Sequence, residues 1–139
     1  MRPARGFSLT ALVVVLVIVG ILAALTLPRL LDSETQASWY VEQVRAAVRY
    51  AQRQAVAQRR PVFVEVQASQ VRLCYDAACA SVLAQFADGQ PYVLAAPTGV
   101  TIVAVPTFSF DGLGRPPAAQ TISVGGQIIT VQAETGYVQ

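Results

Sequence analysis

The chain has 139 residues, 54% of them hydrophobic and 13% charged, with a net charge of +2 from ten basic and eight acidic side chains. A soluble domain carries about 25% charged residues, and near-neutrality excludes the strong field of a dedicated nucleic-acid binder. Histidine is absent, which excludes a Ser-His-Asp triad or a Cys-His pair and removes the commonest metal ligand.

Residues 1–6 are short and basic, with Arg2 and Arg5, and residues 7–27 hold no charge at all. At a rise of ~1.5 Å per residue, that uncharged run makes a helix about 30 Å long, the thickness of a bilayer core. The arginines before it, with only Arg29 soon after, favour a cytoplasmic N-terminus and a C-terminal domain across the membrane. A secretory signal would have a shorter apolar run followed by a small-x-small cut, and Ala23-Ala24-Leu25-Thr26 makes a poor one. A plain signal anchor accounts for the hydrophobicity but not for Gly6-Phe7 placed directly before it.

Arg5-Gly6-Phe7-Ser8-Leu9 resembles the prepilin signature of type IV pilins and type II secretion pseudopilins. The resemblance implies that prepilin peptidase cuts after Gly6, and that Phe7 becomes the N-methylated mature terminus. Gly20 and Pro28 fall where such proteins often loosen or kink the helix. Pro28 has a physical reason to do so, because it lacks an N–H and its ring clashes with the preceding turn. The fifth mature position, where most of the family has Glu, is Ala11. That carboxylate is thought to pair with a neighbouring subunit's terminal amine, so Ala11 points to a minor or tip subunit. The implied localisation is the inner membrane, single-pass with a periplasmic domain, and then a pilus or pseudopilus filament. The implied partners are other pilin or pseudopilin subunits, the peptidase and the inner-membrane assembly platform.

Residues 32–60 read as a continuation of the helix. Asp32 and Ser33 offer a cap for a restart after Pro28. Ala37, Tyr40, Val41, Val44, Ala47, Val48, Ala51, Ala55 and Val56 recur at helical spacing, and the stripe suits packing on a sheet or on a partner helix. Arg59-Arg60-Pro61 closes it.

From Pro61 the period falls to two. Val62, Val64 and Val66 form one arm of an expected hairpin, and Val71, Leu73 and Tyr75 the other. Cys74 and Cys79 sit five apart, and in an oxidising compartment such a pair closes as a disulfide in preference to two free thiols. Further strands are expected at 92–95, 100–105, 107–110, 121–124, 127–132 and 136–138, with Gly125-Gly126 as a hairpin turn. The expected class is α+β: a long N-terminal helix, with a membrane half and an amphipathic half, packed on an antiparallel β-sheet domain. The organisation is 1–6 leader, 7–31 hydrophobic transmembrane and assembly helix, 32–60 amphipathic continuation and 61–139 antiparallel β domain.

The stretch from Phe108-Ser109-Phe110-Asp111-Gly112-Leu113-Gly114-Arg115-Pro116 through Glu134-Thr135-Gly136-Tyr137-Val138 is similar to minor pseudopilins of the GspH/FimT type, most of all those of MSHA-type pilus biogenesis. Phe108 and Phe110 can point inward from a strand end, while Gly112 and Gly114 permit positive φ. Asp111-Gly112-x-Gly114-Arg115 lacks the Gly-Lys-Ser/Thr of a phosphate loop and reads as a tight turn. No metal site, cofactor motif or catalytic constellation is visible, so the expectation is a structural subunit and not an enzyme. The competing expectation is a surface-displayed pilin that binds DNA or a secreted substrate. One branch of the resembled family takes up DNA through a C-terminal basic motif, but here no Lys or Arg follows Arg115.

Overall fold

The computed structural model describes residues 8–139, with no side chain described over 24–34. Helix α1 spans Leu9–Gln58, followed by β1 (Val62–Val66), β2 (Gln70–Cys74), β3 (Val93–Ala95), β4 (Val105–Phe110), β5 (Gln120–Val124) and β6 (Gln127–Val131). The chain divides into two compact units, Met1–Glu34 and Thr35–Gln139.

In the first unit, Leu9, Leu12 to Val19, Ile21 and Leu22 are all exposed apolar side chains. No helix among the described residues is long and apolar enough to cross a membrane. The described side chains stop at residue 23, inside the uncharged run that continues to Leu27. Gly6 and Phe7 lie outside the described residues, and the side chains of Pro28, Asp32 and Ser33 are not described. The helical restart expected at Asp32-Ser33 is not present, because α1 runs through Pro28, Asp32 and Ser33 as one helix. Gly20 lies within α1 with open space where a Cβ would stand.

The second unit is a helix on a sheet. Tyr40, Val41, Val44, Ala47, Val48, Ala51 and Ala55 are fully buried, at helical spacing, along one stripe of α1. They meet the inward faces of a four-stranded antiparallel sheet in the order β3-β2-β1-β4. Val62, Val64 and Val66 face the helix from β1, Val71 and Leu73 from β2, and Phe108 and Phe110 from β4. The hairpin register pairs Phe63 with Cys74 and Glu65 with Arg72. The latter pair adds an ion pair of 2.5 Å on the outer face. Val56, expected in the stripe, is 47% exposed; it sits in the last turn, where a loop and not the sheet approaches the helix.

The helix ends where the sequence indicates, through a residue type that seldom does this work. Arg59 adopts φ 49°. Its N–H donates to Val56 O at 3.3 Å, and the Arg60 N–H donates to Ala55 O at 3.2 Å. These are the paired bonds of a Schellman ending, whose left-handed residue is usually glycine.

β5 and β6 form a separate hairpin. Gly125 and Gly126 have φ 56° and 80°, the two positive values that a type I′ turn demands. Two expected strands are largely reduced to single bridges. Of residues 100–105, Ile102 forms one bridge to Val124 and only Val105 lies in a strand, at the start of β4, because the chain changes sheets there. Val103 N–H still donates to Ser123 O at 2.9 Å, whereas Val105 already pairs with Val66 in the larger sheet. Residues 136–138 contribute only Val138, bridged to Val131.

One long-range tie fastens α1 to the edge of the sheet. The Tyr40 hydroxyl donates to Leu94 O of β3 at 3.0 Å. Burial pushes its pKa up from 10.0 to about 12. Since the folded value lies above the unfolded one, the contribution is fully present below about pH 10 and is lost as pH rises to about 12. Thermal melts across that window should lose on the order of 2 kcal/mol of stability, and Tyr40→Phe should flatten the slope. Tyr92, stacked on Tyr50 at 5.2 Å, is also raised by burial, so part of the slope should remain. A slope unchanged by Tyr40→Phe would place the titration elsewhere.

Candidate functional site

Three loops gather at the C-terminal end of α1. The first is the turn after β4. Asp111 Oδ1 accepts from the N–H groups of Leu113 at 2.9 Å and Arg115 at 2.8 Å. Gly114 N–H donates to Asp111 O at 2.9 Å. These bonds to the ionised form, that from Arg115 foremost, hold the Asp111 carboxyl below the usual carboxylate range. The tight turn expected here is present, but the two glycines serve different purposes. Gly114 has φ 80°. Gly112 does not have positive φ; a Cβ there would stand 3.1 Å from the Arg59 carbonyl carbon. It is glycine because the turn presses on the helix backbone. Phe108 and Phe110 point inward, as their place at a strand end indicates, with rings edge to face at 5.7 Å.

The second loop follows β6. Gly136, at φ 67°, donates its N–H to Gln132 O at 2.8 Å, and it lies against the Gly114 carbonyl. Gln52 joins the two loops to the helix, since its Nε2 donates to Gly114 O and to Thr135 O, both at 3.0 Å. One helical turn earlier, Arg49 Nη2 donates to Val138 O at 2.9 Å. Gln52 and Arg49 have no role in the sequence reading of the site, and Gly136 stands there only within the C-terminal resemblance and the expected strand 136–138. The available signal was polar residues of α1 beside the apolar stripe, opposite a glycine near the chain's last strand.

The third loop is the Cys74–Cys79 turn, in which the two sulfurs are joined and the Cα atoms stand 5.1 Å apart. Asp76 accepts from the N–H groups of Ala80 at 3.0 Å and Ser81 at 2.7 Å, and these bonds lower its pKa. The support from Asp76 and Asp111 is therefore present above the unfolded carboxyl value and is lost as pH falls through the depressed folded one. Tyr75 carries the turn to the helix. Its hydroxyl accepts from Gln58 Nε2 at 3.1 Å, and the Arg60 guanidinium lies 3.8 Å from its ring centroid.

The site is a mechanical junction. Among the described residues no three of His, Cys, Asp and Glu come together as metal ligands. A shallow groove of about 400 Å³ runs beside the junction, between Arg49, Gln52 and Arg53 on α1 and Tyr137 and Val138. Another, of about 390 Å³, lies between the Asp111 turn and Ala133-Glu134.

Residues 40–137 match the family described as Type II transport protein GspH, and residues 1–27 match the Prokaryotic N-terminal methylation motif. No curated protein matches the chain. Among solved structures, it is similar to the type IV minor pilin FimU of Pseudomonas aeruginosa (strain PAO1) in two crystal forms. The P21 form is 18% identical with a TM-score of 0.56, and the alignment covers 76% of this chain and 88% of that one. The P65 form is 19% identical with a TM-score of 0.53, covering 73% and 90%. At such identity the likeness is one of fold: a helix on an antiparallel sheet.

Proposed function

Since the chain belongs to the GspH family of type II transport proteins, we propose that it is a minor pilin-like subunit that primes or joins a type IV-like filament. The observation that carries this reading is the methylation motif over residues 1–27 directly ahead of the family match over 40–137, on one chain. In this reading prepilin peptidase cuts between Gly6 and Phe7. The uncharged helix holds the subunit in the inner membrane, and after extraction by the assembly platform it packs among the helices of other subunits. Gly20 and Pro28 let that helix bend. The filament is an MSHA-type pilus of the MshC kind or a type II secretion pseudopilus, and the C-terminal motif supports the former.

Two features fit this role. The second unit ties three loops onto one helix end, which suits a part that is carried and packed by its helix. Ala11 offers no carboxylate to a neighbour's terminal amine, which suits a subunit used once and not a bulk fibre. Export would also place Cys74 and Cys79 where the bond between them persists.

Mass spectrometry of the protein purified from its own membranes tests the reading. The expected mature chain begins at Phe7 and carries one methyl group on its amine. A chain beginning at Met1, or one cut near Ala24, would overturn it.

A further inference from the structure

Three ion pairs occur among the described residues: Glu42 with Arg45, Glu65 with Arg72 and Asp111 with Arg115. Arg49 and Arg53 are in none of them, although both are exposed and both line the groove beside the junction. Their partners are backbone oxygens. Arg49 Nη2 donates to Val138 O at 2.9 Å, and Arg53 Nε reaches Arg49 O at 3.4 Å. Two guanidiniums one helical turn apart are thus each held by a backbone oxygen, and neither is in an ion pair among the described residues.

From this geometry we propose that the groove binds a carboxylate side chain presented by a neighbouring protein subunit. The proposal rests on the filament reading for its partner, but its chemistry stands on the groove. Guanidinium groups match a carboxylate in two parallel bonds, and part of the ordering cost has already been met by the backbone contacts. The rim suits a protein partner. Tyr137, which lines it, is 55% exposed, and an exposed aromatic among arginines is the composition enriched at protein interfaces. One wall is held in place, because Gln52, which lines the groove, donates to both Gly114 O and Thr135 O.

A nucleic acid fits less well. It needs a row of cations following successive phosphates, and this groove has two. Over residues 35–139 seven arginines face six acids, a net charge of +1, so the surface as a whole adds little attraction for a polyanion.

The test uses the full chain in detergent micelles, titrated with two labelled probes of equal charge: a hexaglutamate peptide and a thymidine oligonucleotide with six phosphates. Hexaglutamate should bind, and Arg53→Gln should weaken it at least tenfold with an unchanged melting temperature. Arg60→Gln, which removes an arginine that lies on the Tyr75 ring, outside both the groove and the three ion pairs, should leave binding within twofold. No hexaglutamate binding at millimolar concentration overturns the proposal. So does an equal loss from both variants, which would mark diffuse charge attraction. Oligonucleotide binding as tight as that of the peptide overturns it in favour of a phosphate site. None of these outcomes changes where the mature chain begins, so the filament reading stands or falls separately.

Discussion

Gly136→Ala is expected to destabilise the second unit by about 3 kcal/mol or more, while Gly126→Ala, at another positive φ, costs about 1 kcal/mol. Both glycines are left-handed, at φ 67° and 80°. They differ in surroundings. A Cβ on Gly126 meets nothing within 4 Å, so only the backbone preference is lost. A Cβ on Gly136 would fall 2.5 Å from Gln52 Nε2 and well inside contact distance of the Gly114 carbonyl oxygen. Neither neighbour can give way freely. Gly114 is fixed by its bond to Asp111 O at 2.9 Å, and Gln52 holds two carbonyls at once. The junction must open, and each lost hydrogen bond adds about 1 kcal/mol to the conformational cost. Urea denaturation of the full chain in micelles measures the difference. Equal losses for the two variants would show that crowding at Gly136 is not the constraint.

The elements legible in the sequence are those whose causes are local. The stripe from Tyr40 to Ala55 needs only helical periodicity against one apolar layer, and it is buried as written. Gly125-Gly126 needs only two positive φ values between two strands, and both are present. The Arg59-Arg60-Pro61 helix end is local in the same way. What the sequence concealed depends on distance along the chain. Val103 and Val105 look like one continuous strand, yet they belong to different sheets, because the chain must leave the β5 edge to reach β1. Gln52 looks like any solvated helix residue. Its two acceptors lie 62 and 83 residues away, and nothing in the residues around it announces them. Gly112 shows the middle case: the need for glycine was legible, but its cause is the Arg59 backbone and not its own φ.

Phe110→Ala should cost about 3–5 kcal/mol, and Phe110→Leu about 1 kcal/mol. Phe110 is fully buried, pairs in register with Val62 and packs its ring against Phe108 at 5.7 Å. Truncation to alanine leaves a cavity under the last residue of β4, whereas leucine fills most of it. The functional consequence lies one residue further on. The Asp111 turn keeps its shape through its own bonds to Leu113 and Arg115, but its seat against Arg59 is set by where β4 ends. Loss of the anchor therefore releases an intact turn from the helix, and with it one of the two carbonyls that Gln52 holds. Limited chymotrypsin digestion reads this out at Leu113, already 71% exposed. Cleavage after Leu113 should be faster in Phe110→Ala than in the parent and close to parental in Phe110→Leu. If the alanine variant is instead cut evenly along the chain, Phe110 stabilises the whole core without a special claim on the turn. The junction would then depend on Gln52 and Gly136 alone.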